Sequence, residues 1–165
     1  MDDRPAATAT APVTAAVDGA ASDDLLALEN QVCFALAVAA RGVIGVYRPI
    51  LEPLGLTHPQ YLVMLALWGR SPRTVRDLGD ALQLEPATLS PLLKRLEAQG
   101  LVDRSRDPQD ERRVVIRLTD AARALKDAAA GIPACILGAT GCDVQDVARL
   151  VGEIRAMRAR LAGAI

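Results

Sequence analysis

Aromatic residues are nearly absent from this 165-residue chain: Phe34, Tyr47, Tyr61 and Trp68 make up 2% of it. That scarcity argues against nucleic-acid modules that stack successive bases on aromatic platforms, such as RRM and OB folds. Histidine occurs once, at His58, which rules out a histidine-rich zinc site, and the three cysteines, Cys33, Cys135 and Cys142, include no CxxC pair. No metal or cofactor is expected. An odd cysteine count does not read as a disulfide framework, and the start, MDDRPAATAT, lacks the lysine-rich segment of a secretory signal. No apolar run approaches the roughly 18–20 residues of a membrane span, so a cytoplasmic protein is expected. What is present is 51% hydrophobic and 24% charged, enough to bury a real core in about one domain's worth of chain.

The net charge of −1 conceals an asymmetry. Residues 1–31 carry one arginine and six acids, a balance of −5, whereas residues 32–165 carry 18 basic and 14 acidic side chains, a balance of +4. An acidic tail thus precedes a mildly basic body, which by itself is weak support for an anionic partner.

Residues 1–21 are Ala, Thr, Pro and Val without periodicity and read as a disordered tail. Ser22 is placed to cap a helix with Asp23 and Asp24 in its first turn. Leu25, Leu28, Val32, Leu36, Ala39, Val43 and Val46 then recur at helical spacing to about Tyr47, where Pro49 and Pro53 are expected to break the helix. A second helix, apolar nearly all round, starts near His58-Pro59 and ends at Gly69. Thr74 caps a short helix, VRDLGDAL; after the turn QLE, Pro86 opens PATLSPLLKRLEAQ, which ends at Gly100. Two short helices joined by so few residues are a helix-turn-helix. The segments LVDRSR and RVVIRLT around DPQDER make a β-hairpin, so the unit over about 58–118 is a winged helix-turn-helix. Thr119 caps a helix that stops near Pro133, and a last helix runs from about Asp143 to Leu161. The fold class is therefore mainly α with a small β-hairpin wing, with terminal helical segments over about 22–47 and 120–161 in one domain spanning 22–165. Val144, Val147, Val151, Ile154, Met157 and Leu161 share one face of the last helix, and too little chain remains to cover it within one subunit, so a homodimer is expected.

On the second helix of the motif, Thr88, Ser90, Pro91, Lys94 and Arg95 lie away from the apolar set Leu89, Leu92, Leu93 and Leu96. Short hydroxyls near the helix start suit base edges, and the two cations suit phosphates or guanine; the alternative is an ordinary solvated face. Pro91 removes a helical hydrogen bond and should bend the helix. In the hairpin turn, Arg112 is placed to enter a minor groove with Asp110 orienting it, against the alternative of a charged solvent-facing turn. The adjoining helix-turn-helix favours DNA. Cys33 is either a small buried hydrophobe or a reactive thiol. Tyr47 lies nearly four helical turns beyond it, so a contact between them would need an antiparallel partner helix.

Taken together, the runs NQVCFAL, YRPILEPLGLTHPQYLVMLALW, LSPLLKRLEAQGLVDRSR and DERRVVIRLT closely resemble the organic hydroperoxide-sensing (OhrR) branch of the MarR family, over about Leu25 to Leu161. The pattern Asp110-x-Arg112 before Leu118-Thr119 marks MarR proteins broadly, and the peptide around Cys33 marks the peroxide-sensing branch. The resemblance implies a dimeric transcriptional repressor with interlocked terminal helices, bound to double-stranded palindromic operator DNA. It implies a redox-sensing cysteine at Cys33 and two thiolate-interacting side chains, Tyr47 and, where the family has tyrosine, His58. The family's resolving motif LCATGC is LGATGC here: Gly138 stands at the usual resolving position, Cys142 retains the second, and Cys135 is additional. Cys142, Cys135 or a low-molecular-weight thiol are the candidate partners for oxidised Cys33. A thiol peroxidase is disfavoured because the thioredoxin-like βαβ pattern is missing, so no enzyme is expected. A repressor gated by a small phenolic or drug-like ligand shares every DNA-binding feature, and a pure scaffold leaves Lys94, Arg95 and Arg112 unexplained.

Overall fold

The computed structural model describes Asp24 and residues 26–163. The tail over 1–21 and the capping residues Ser22 and Asp23 lie outside the described residues. The chain divides into two compact units, the first ending at Ala40 and the second beginning at Arg41.

In the first unit, a 3-10 turn, Leu28–Asn30, interrupts what was expected to be one continuous helix, and α1, Val32–Leu51, begins after it. Asn30 explains the interruption: its side-chain amide donates to the backbone and carboxylate oxygens of Asp24 at 2.8 and 3.0 Å, competing with helical pairing. Cys33 therefore sits in the first turn of α1. Val32, Phe34, Leu36 and Val38 are all exposed.

In the second unit α1 continues through Pro49 to Leu51 instead of stopping at Tyr47. The proline costs one hydrogen bond only two residues from the helix end, and Leu51, completely buried, anchors that end. By length and composition the stretch Val32–Leu54 is long and apolar enough to cross a membrane, which corrects the expectation that no segment reaches that length.

Next, α2, His58–Gly69, carries a capping box formed by Thr57 and Gln60. It buries Tyr61, Val63, Met64 and Leu67 but leaves Leu62 and Leu65 exposed, so one flank of this apolar helix is uncovered. The helix-turn-helix consists of α3, Val75–Leu82, and α4, Pro86–Ala98. Thr74 and Asp77 form the capping box of α3, and Gln83 closes it in the left-handed region at φ 53°. Leu78, Leu89, Leu93 and Leu96 meet the buried face of α2 in one core with Val102 and Ile116.

The wing pairs β2, Val102–Asp107, with β3, Asp110–Leu118, antiparallel from Val102↔Leu118 to Asp107↔Asp110. Its turn is only two residues, shorter than expected, because the Asp107 carboxylate accepts from the Gln109 N–H at 3.0 Å and tightens it. A third strand, β1, Arg73–Thr74, pairs with β3; two residues are too few to leave a periodic signal.

Beyond the wing, α5, Asp120–Ala129, is capped by Thr119 as expected, but a further helix follows, α6, Ile132–Thr140. Pro133 lies in its first turn, where a missing N–H costs nothing, so this proline marks a start rather than a stop. The last helix, α7, Val144–Ala162, is capped by Asp143, and none of its residues is buried.

Candidate functional site

Two groups of residues converge in the second unit. The first is the face presented by α4 and the wing. Thr88, Pro91, Lys94 and Arg95 are exposed on α4, as an interface requires. Ser90 is half-buried, and its hydroxyl donates to the Pro86 carbonyl at 2.8 Å, leaving its oxygen free to accept. Pro91 is tolerated inside the helix.

Asp110 holds the main chain of Arg112 rather than its guanidinium: its carboxylate accepts from the Arg112 backbone N–H at 3.1 Å, fixing the strand start and leaving the side chain exposed. Between the start of α3, helix α4 and the wing lies a cleft of about 610 Å³, lined by Thr74, Asp77, Ser90, Arg76, Arg104, Arg112 and Arg113. Four guanidiniums around one cleft make a concentrated positive field, suited to a phosphate backbone.

Arg76, Arg104 and Arg113 were not singled out by the sequence reading. Only the pairing of β2 with β3 brings Arg104 to this cleft, and only the packing of α3 brings Arg76. Arg104 is steadied by Glu97 of α4 at 3.6 Å, while its Nε is buried without a hydrogen-bond partner among the described residues. Hydrogen bonds from Thr74 hold the Asp77 carboxyl below its ordinary pKa, with the nearby Arg113 and Arg70 charges adding to the effect. Asp77 thus stays ionised beside the arginines, and its charge is spent on the cap of α3.

The second group is aromatic. The Tyr47 ring lies 4.9 Å from His58, centroid to centroid, at 59°. Tyr61 lies 5.9 Å from Tyr47, and Trp68 6.2 Å from Tyr61. The expected pair Tyr47 and His58 is thus brought together, and Tyr61, which sequence reasoning passed over as a core residue, stands behind it. Burial pushes the Tyr61 hydroxyl above its ordinary pKa, with Tyr47 adding to the effect. His58 is the first residue of α2 and half-buried; it lines a cleft of about 670 Å³ with Arg41, Ile44, Arg48 and Thr57.

Desolvation lowers the His58 pKa from its ordinary 6.5, so the imidazole is neutral at pH 7 and keeps one N–H to donate. The sign of the linked stability follows. The unfolded chain takes up the proton first, so the contribution is complete above about pH 6.5 and is lost as pH falls through the lower, folded value. Thermal unfolding between pH 7.5 and 5 is expected to show a larger loss for the wild type than for His58→Gln. Equal losses would refute this.

Cys33, in the first unit, is exposed with a free thiol; Cys135, in α6, and Cys142, just beyond it, are exposed and free in the second. Within the single chain Cys33 is thus exposed rather than packed in a core. Cys142 follows Gly141, which takes φ 67°, and its thiol donates to the Thr140 carbonyl at 3.8 Å. Among the described residues, no group of three or more His, Cys, Asp or Glu is arranged to hold a metal ion.

The family model for the transcriptional regulator SarA/Rot matches residues 45–129. The organic hydroperoxide resistance transcriptional regulator of Bacillus subtilis strain 168 is 43% identical over 127 residues, 77% of this chain and 86% of that protein. The HTH-type transcriptional regulator TtmR of Methylorubrum extorquens is 41% identical over 151 residues, 92% of this chain and 77% of that protein. Among solved structures, overoxidised AbfR bound to DNA matches with a TM-score of 0.70 at 32% identity, over 85% of this chain and 98% of that one. AbfR comes from Staphylococcus epidermidis.

Proposed function

The chain belongs to the MarR family of winged-helix transcriptional regulators, and from that premise we propose that it is a cytoplasmic, homodimeric repressor that leaves its operator when an organic hydroperoxide oxidises Cys33. The observation that carries the reading is the pairing of Tyr47 with His58 at 4.9 Å, in a chain 43% identical to an organic hydroperoxide resistance regulator. Both rings offer a hydrogen-bond donor, and a donor facing sulfur stabilises thiolate, the reactive form. The cleft beside His58 offers the apolar Ile44 and the guanidiniums of Arg41 and Arg48 to an organic peroxide and its tail.

The chemistry is a two-electron transfer. The Cys33 thiolate attacks one peroxide oxygen, an S–O bond forms as the O–O bond breaks, and the alkoxide takes up a proton and leaves as an alcohol. The resulting sulfenic acid is attacked by a second thiol, from Cys142, Cys135 or a small thiol compound; a disulfide forms and water leaves. No turnover is required of the protein, which acts as a switch rather than as an enzyme.

Dimerisation is supported by apolar side chains that each unit leaves uncovered: Phe34, Leu36 and Val38 in the first, Val144, Val147, Leu150 and Val151 in the second. Two-fold symmetry then presents two α4 helices to a palindrome with half-sites about one helical turn apart. DNA contact is supported by the exposed cations of α4 and by the arginine-lined cleft.

The test is operator binding by the reduced protein at fixed salt, before and after cumene hydroperoxide. Release on oxidation and rebinding after reduction by dithiothreitol are expected; retention under peroxide with release by a phenolic ligand would overturn the reading in favour of ligand gating. Within the same assay, Arg76→Ala is expected to weaken operator and random DNA alike and to reduce the salt slope by about 1, the signature of a phosphate contact. A loss confined to the operator would show instead that Arg76 reads bases.

A further inference from the structure

A polar chain anchored on the buried side chain of Gln60 joins the sensor-side loop to the end of the DNA-reading helix. Gln60, 3% exposed, accepts at its side-chain oxygen from the backbone N–H and the hydroxyl of Thr57, both at 2.9 Å. Its amide nitrogen donates to the Gln99 side-chain oxygen at 3.0 Å, and the Gln99 amide nitrogen donates to the Gly55 carbonyl at 2.9 Å. Thr57 is the N-cap of α2, adjacent to His58, and Gln99 is the C-cap of α4. The chain then reaches the wing: the Thr119 hydroxyl donates to the Gly100 carbonyl at 2.7 Å, and the Thr119 N–H to the Leu101 carbonyl at 3.2 Å, just past the end of β3.

We propose that Gln60 and Gln99 are positioning residues, a hydrogen-bonded strut that transmits the state of the His58–Tyr47 site to α4 and the wing. The proposal rests on the peroxide-sensing reading above. Each primary amide is used at both ends, so neither can shift without breaking a bond or taking its partner with it, and loss of the Gln99 acceptor strands the buried Gln60 amide. His58 and Thr57 are consecutive, so a displacement of His58 moves the cap that Gln60 grips. Gln99 lies 39 residues further along the chain, and its side chain is the direct polar link from that cap to the end of α4. A helix cap alone needs no such reach; Gln99 N–H already closes α4 on the Arg95 carbonyl at 3.0 Å without its side chain. Gly55, in the left-handed region at φ 66°, turns its carbonyl to the strut.

The experiment compares operator dissociation constants of reduced and cumene-hydroperoxide-treated protein for wild type, Gln99→Met and Gln99→Glu, with thermal unfolding and mass spectrometry of Cys33 in each. Gln99→Met keeps the length and removes both bonds. It is expected to oxidise at Cys33 as the wild type does and to bind DNA when reduced, while its ratio of oxidised to reduced constants falls by about five- to thirtyfold. Gln99→Glu still accepts from Gln60 but loses the donor to Gly55, and should give an intermediate ratio even if Gln99→Met fails to fold. Folded, normally oxidised variants with the wild-type ratio, including constants weakened equally in both states, overturn the strut alone. A wild type that keeps its operator after Cys33 is oxidised overturns the sensor reading, and the strut with it.

Discussion

Cys33→Ser is expected to bind the operator as tightly as the wild type and to stay bound when an organic hydroperoxide is added. Serine keeps the shape of the side chain at this exposed helical position but has no thiolate at neutral pH, so the peroxide O–O bond finds no nucleophile. Moving a regulator from almost wholly bound to almost wholly free requires the two states to differ by about 5.5 kcal/mol in their affinity for DNA, a factor of about 10⁴. The variant should forfeit nearly all of that factor, the largest single effect expected here. Gel-shift or fluorescence anisotropy titrations at one stated salt concentration measure it directly. Mass spectrometry of the treated wild type should show Cys33 modified before Cys135 or Cys142. A Cys33→Ser protein that lets go of DNA under peroxide would refute the sensor assignment.

Arg112→Ala should cost about 1–3 kcal/mol of operator binding, roughly five- to 150-fold, with little change in thermal stability. The asymmetry comes from geometry. The side chain is exposed at the wing tip, whereas the strand start is held by the Arg112 backbone N–H on Asp110, which alanine keeps. Asp110→Ala would instead free the strand start and is expected to weaken binding through loss of order in the wing. Arg95→Ala gives the comparison on α4: a larger loss on the operator than on random DNA would mark a base contact. An Arg112→Ala protein with wild-type affinity would show that the wing does not touch DNA.

Much of this was open to inspection in the sequence because the informative signals are local. Thr74, Pro86, Gly100 and Thr119 mark helix ends through interactions with residues three or four positions away, and all of the helices they delimit stand close to where the pattern puts them. The leucines of α4 reveal its buried side, and hence the exposed face with Lys94 and Arg95, through spacing alone. Proline was the unreliable signal, because its effect depends on position within a helix: Pro49 near an end is absorbed, and Pro133 near a start is favoured.

The tertiary structure decided what depends on residues far apart in the chain. It placed Tyr47 against His58, gathered Arg76, Arg104 and Arg113 around one cleft with Arg112, and joined Gln60 to Gln99. Arginines and glutamines are common on any surface, and their types carry no record of which partner they will meet. That choice is made only when α2, α4 and the hairpin pack around a shared core, whose leucines and valines drive the association by area buried and set the polar neighbours as a consequence.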